Sequence, residues 1–177
     1  MTSKVMNLMK QRQMESDNVI GYTENELKKI EQLYDITIQG QFRELMLLAG
    51  RCDGGLIGDD PIILYREAWS VRGQILFQQD LFTSLQDIRA YNYKDKKNYM
   101  GAHGQIFCFS WEWETQYYYL ITENNDNLVY HYDENEETVE CIGLTLFEYL
   151  DDVHKRYREG KNRKQIICRG ELLEIYV

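Results

Sequence analysis

The stretch LVYHYDENEETVECIGLTLFEYLDDV, Leu128 to Val153, decides how this chain is read. LVYHYD is rich in aromatic and branched residues that suit a pleated, half-buried strand. ENEE follows, and four polar residues in a row predict an exposed turn. TVECI is a second strand returning from it. At Thr145 the apolar spacing changes from two to the helical period, with Leu146, Leu150, Val153 and Tyr157 on one inner face. Thr145 and Glu148 stand at capping-box spacing, so the helix start is written in the side chains themselves. Lys155, Arg156 and Arg158 suit the negative end of its dipole, and Gly160 ends it.

Working upstream, QIFCFSWEW (Gln105 to Trp113) and QYYYLIT (Gln116 to Thr122) are two more strands, separated from Leu128 by the turn TENNDN. In the first of them alternation places Phe107, Phe109, Trp111 and Trp113 on one face, with Glu112 and Glu114 on the solvent-facing opposite side. The four segments predict an antiparallel meander. Earlier still the pattern is helical. YTENELKKIEQL (Tyr22 to Leu33) carries a capping box in Thr23 and Glu26, a hydrophobic staple in Tyr22 and Leu27, and a core stripe of Leu27, Ile30 and Leu33. In QFRELMLLAG, Phe42, Leu45, Met46 and Ala49 share a face, and Gly50 is expected to stop the helix in a left-handed conformation. RCDGGLIGDDP reads as a turn into a strand IILY after Pro61, because a phosphate loop would follow a strand and carry a lysine. Ser70 to Tyr91 is helical, with Val71, Leu81, Leu85 and Ile88 as core positions and Gly73 as a weak point; YKDKKNYMGAHG after it is a polar loop.

Helical and strand patterns come in blocks, which predicts an α+β fold: one domain with a largely antiparallel mixed sheet and helices packed mainly on one side. Residues 1–19 are set apart as an N-terminal extension, 20–160 as the domain, and 161–177 as a tail apolar enough to pack on it.

The chain has 177 residues, 44% of them hydrophobic, enough for one core, and no linker-like tract divides it. No apolar run reaches the length of a signal-peptide core or a membrane span, so a cytoplasmic location is expected. Cys52, Cys108, Cys141 and Cys168 are far apart, and Cys108 and Cys141 lie in strand-like runs as reduced thiols would. The net charge of −9 opposes binding to nucleic acid or anionic membrane and favours a basic partner.

TENELKKIEQLYDITIQGQFRELMLLAG (Thr23 to Gly50) and NLVYHYDENEETVECIGLTLFEYL (Asn127 to Leu150) resemble the opening and closing segments of the SUKH superfamily, which contains bacterial toxin-immunity proteins and fungal cell-wall assembly regulators. The closing segment of that family is a strand of the type Val-Tyr-x-x-Asp, a polar turn, a short strand and a helix beginning Ser-Phe-x-x-Phe-Leu. Thr145, Phe147, Tyr149 and Leu150 match that helix start here, with Thr in place of Ser, and IQGQ stands where the family often has Leu-Pro. The resemblance implies an immunity-type protein that neutralises a cognate polymorphic toxin by occluding it, without a cofactor. Toxins opposed by that family are often nucleases, whose phosphate-holding grooves are basic.

The residues expected to meet such a partner are the acids Glu112, Glu114, Asp126, Asp133, Glu134, Glu136 and Glu137, with Trp113 or Tyr130 as aromatic anchors. Tyr118, Tyr130 and Tyr132 are candidates for an exposed sheet face. An enzyme is the weaker reading. His103, His131 and His154 have no metal-site spacing, and His131 beside Asp133 reads more simply as a hydrogen-bonded strand histidine than as an acid-base pair. Other readings are a non-catalytic scaffold or regulatory module for a host protein, and a small ligand-binding domain.

Overall fold

The computed structural model describes residues 3–15, 19–57, 71–92 and 105–158. Their elements run α1 (Lys4–Glu15), β1 (Val19–Ile20), α2 (Glu24–Tyr34), α3 (Gly40–Ala49), β2 (Cys52–Asp53), α4 (Val71–Asn92), β3 (Ile106–Glu112), β4 (Gln116–Ile121), β5 (Leu128–Asp133), β6 (Thr138–Thr145) and α5 (Leu146–Arg158). β3 to β6 form one sheet in chain order with every pairing antiparallel, and β1 pairs with β2 in a separate ribbon. The fold is α+β. The IILY segment, the polar loop before Gln105, Gly160 and the tail 161–177 lie outside the described residues.

α1, α2, α3 and α5 gather on one side of the sheet, where Phe107, Phe109, Leu120 and Val129 point into their core. Leu45 is fully buried there with Met46, Ile30 and Leu150. The segment read as an N-terminal extension belongs to this core: Val5, Met6 and Met9 of α1 are buried, and α1 packs on α5 and α3. Asp151 of α5 holds the start of α1 with one carboxylate. It accepts from the Ser3 hydroxyl and the Val5 N–H at 2.8 Å and from the Lys4 N–H at 3.0 Å. Those N–H groups would otherwise have no helical partner.

Two glycines are required by close approach. Gly40 has φ +57° and faces Asn127, whose Oδ1 would lie 2.2 Å from an added Cβ and instead accepts the Gln41 N–H at 2.7 Å. Gly50 corrects the expectation from sequence: it ends α3 at φ −61°, a right-handed conformation. It is needed because a Cβ would meet the Tyr22 ring at 2.5 Å and the Met46 carbonyl at 2.7 Å.

α4 covers the other face of the sheet in one unbroken run through Gly73. Leu81, Leu85 and Ile88 pack with Ile106, Cys108, Tyr119, Tyr130 and Tyr132. Gln78 grips the outer edge of β3 like a neighbouring strand, donating to the Cys108 carbonyl at 2.7 Å and accepting its N–H at 2.8 Å. Edge groups so paired are closed to another chain.

One irregularity redistributes the aromatics. The β3–β4 register shifts between Cys108 and Ser110, leaving Phe109 as the extra residue of a bulge. Strand alternation restarts there. Phe109 and Ser110 both reach Tyr149 of α5, while Trp111 turns to the α4 side against Phe77 and Tyr117. The single face expected for Phe107, Phe109, Trp111 and Trp113 is therefore split. Tyr130 and Tyr132 are each only 5% exposed beneath the α4 side, and Tyr118 packs on Tyr149, so no exposed tyrosine face exists among them.

Candidate interaction surface

An antiparallel meander puts its first and third turns at the same end of the sheet. The β3–β4 turn (Trp113 to Thr115) and the β5–β6 turn (Glu134 to Glu137) are neighbours for that reason, and they are bonded to each other. The Glu134 N–H donates to the Thr115 carbonyl at 2.9 Å, and the Asn135 side chain donates to the Thr115 hydroxyl at 2.9 Å. Tyr117 donates its hydroxyl to Glu134 at 2.7 Å; burial first, then that carboxylate, holds the phenol above its ordinary range. Asp133 orders the second turn by accepting from the Asn135 N–H at 2.9 Å and the Glu136 N–H at 3.3 Å. A hydrogen bond from Gln116, with those N–H groups, keeps its carboxyl below the usual range.

Trp113 sits at the tip, 86% exposed. Trp113 and Glu114 have φ 54° and 64°, two consecutive left-handed residues without glycine. Such turns normally use Asn-Gly or Gly-Gly, because a Cβ crowds the following carbonyl. The sequence thus places an indole in water on a backbone that disfavours it.

Behind the turns, the inner face of the sheet changes from apolar to largely polar side chains. Two cross-strand rows lie there: Ser110, Tyr118, His131 and Glu140, then Glu112, Gln116, Asp133 and Thr138. His131 stacks on Tyr118 at 4.8 Å, bonds through Nε2 to Gln116 Oε1 at 2.6 Å, and has Glu140 Oε1 3.4 Å from Nδ1. Both ring nitrogens are thus occupied by side chains of the sheet. Among the described residues no three His, Cys, Asp or Glu side chains are grouped to hold a metal, and no helix is long and apolar enough to cross a membrane.

Of the residues expected to form a partner surface, Trp113, Glu114, Asp133, Glu134, Glu136 and Glu137 come together at this end. Glu112 does not face solvent as expected. It is 8% exposed, because the bulge turns it under α5, where Arg156 Nη1 lies 3.6 Å from its Oε1. Tyr130 is buried and unavailable as an anchor. Asp126 lies at the opposite end of the sheet, in the β4–β5 turn, where it accepts the Leu128 N–H at 3.0 Å. Glu140, missed from sequence, joins the surface through its position opposite His131; it lies two residues beyond Thr138, the partner of Asp133, so its face is legible only once the register is known.

A cleft of about 550 Å³ opens at the other end of β3, lined by Leu33, Ile36, Ile75, Phe82 and Ile106 among others, well away from the turns. No protein-family model matches the chain, and neither curated proteins nor solved structures return a match.

Proposed function

We propose that this chain is an immunity-type binding protein that neutralises a cognate toxin by covering a basic surface on it, using the end of the sheet that carries Trp113. The observation that carries the reading is Trp113 itself: an indole 86% exposed, on left-handed backbone, at the end of the sheet that also carries the turn carboxylates. Tryptophan is the residue most enriched in binding hot spots, and surrounding charges steer a basic partner onto it. The net charge of −9 and the SUKH-like segments at Thr23–Gly50 and Asn127–Leu150 point the same way. The acids of the two turns imitate phosphate, so a nuclease groove is a fitting target.

The test is to identify the partner by pull-down, to ask whether this chain protects cells from it, and then to measure binding kinetics with the purified pair. Trp113→Ala should weaken binding by about 2 kcal/mol or more, mostly through faster dissociation. Glu134, Glu136 and Glu137 changed together to Gln should slow association and flatten its salt dependence. A chain that binds no such toxin and gives no protection overturns the immunity reading; binding to a host protein without protection would favour a scaffold.

A further inference from the structure

Glu112 is held more loosely than a buried carboxylate normally is. Its side chain is 9% exposed, and among the described residues its Oε1 accepts no hydrogen bond. Arg156 Nη1 stands 3.6 Å away, beyond hydrogen-bond length. Burial strips water from a carboxylate, and folded proteins usually return full hydrogen bonding in exchange. Arg156 is committed elsewhere: its Nε donates to Asp152 Oδ2 at 3.0 Å one helical turn back, and its side chain is 44% exposed. Burial works against its charge, but Glu112 first, then Tyr149 and Asp152, hold the guanidinium above its ordinary range. Two aromatic rings complete the surroundings, Tyr118 and Tyr149, 5.0 Å apart, the latter anchored by its hydroxyl to Ser110 at 3.1 Å. Trp113, exposed at the turn, follows Glu112 directly in the chain.

We propose that Glu112 is the receptor for an arginine side chain of the partner, with Arg156 covering it in the free protein and withdrawing onto Asp152 when that arginine enters. This rests on the reading of the turn end as the surface for a basic protein and names the contact at its centre. A guanidinium forks onto a carboxylate, and Glu112 offers one whose Oε1 has no hydrogen bond among the described residues and is approached only by another guanidinium, that of Arg156. Because Asp152 already holds Arg156 by Nε, its departure leaves no stranded charge.

The test needs no toxin. Butylguanidinium, an isolated arginine head group, is titrated into protein labelled at the glutamate carboxyl carbons and followed by NMR. Arg156→Ala, or Arg156→Met to keep the stem over the sheet, should show a saturable shift at Glu112. The same binding should be roughly tenfold weaker in wild type, where Arg156 competes. Adding Glu112→Gln to either variant should abolish it, while Glu134, Glu136 and Glu137 respond weakly and without saturation. No saturable shift at Glu112 in a folded Arg156 variant, or binding that survives Glu112→Gln, overturns the proposal and leaves the Trp113 surface standing. A failed protection assay with intact Glu112 binding would instead reject the immunity reading alone.

Discussion

Trp113 and Glu114 bear the clearest conflict between side chain and backbone in this chain. Left-handed conformation costs a residue with a Cβ roughly 1–2 kcal/mol. Glycine would relieve that cost at Glu114, though it would lose more freedom on folding. Glu114→Gly is therefore expected to raise stability by up to about 1 kcal/mol, seen as a higher urea midpoint with an unchanged slope. A lower midpoint would mean that the turn is not strained at Glu114. Strain at an exposed tip, next to an exposed indole, is the conformational cost that goes with the contact surface proposed above.

At the scale of elements, the two helix starts read from sequence are present but unequal. Thr23 caps α2 with a complete box, its hydroxyl accepting the Glu26 N–H while Glu26 accepts the Thr23 N–H at 2.7 Å. At α5 the Thr145 N–H and hydroxyl donate to Glu148 at 2.8 and 2.9 Å. The next two N–H groups are served from afar, Leu146 by the Asn127 carbonyl and Phe147 by Gln41 Oε1, each at 2.8 Å. Thr145→Ala should therefore cost about 0.5 kcal/mol, the low end for a cap, and Thr23→Ala about 1 kcal/mol, measured as denaturant midpoints. Both glutamates titrate below their ordinary value of 4.5. Burial alone would raise Glu26, but Thr23 and then Arg51 outweigh it; Thr145 lowers Glu148. A carboxylate with a depressed folded value stabilises above its unfolded value and loses that contribution as pH falls through the folded one. Stability should thus fall on acidification below about pH 4.5, and the fall should be shallower in Glu26→Gln, Glu148→Gln protein. An equally steep fall would show that these boxes do not carry the acid sensitivity.

Across the whole molecule, Asp151 ties the first helix to the last described one. Its carboxylate does for α1 what an N-cap side chain does locally, so Asp151→Ala should cost about 1–2 kcal/mol. Amide exchange should quicken first at Val5 and Met6, with α2 and α3 keeping their protection. Uniform loss of protection would mean that α1 is inseparable from the rest of the core. The arrangement of the Trp113 end is likewise a property of the whole: turns far apart in the chain meet because the meander returns them to one end, while the turn with Asp126 is carried to the other.

The four strands of the meander, the capped helices and the acidic turn ENEE were legible in the sequence because each rests on contacts within a few residues. Thr23 finds Glu26 three positions on, and ENEE stays in water whatever packs elsewhere. The α1 core face was not legible: Val5, Met6 and Met9 are sparse among polar residues, and the carboxylate that caps the helix comes from Asp151, far along the chain. Period-two reading placed Trp111 with the phenylalanines and Glu112 in solvent, and the bulge at Phe109 reversed both. Local hydrogen bonds and side-chain period determined which segments become helix, strand and turn. Tertiary structure alone decided which acids stand beside Trp113 and which one is buried under Arg156, because burial is conferred by residues distant in sequence and one extra residue in a strand exchanges its faces.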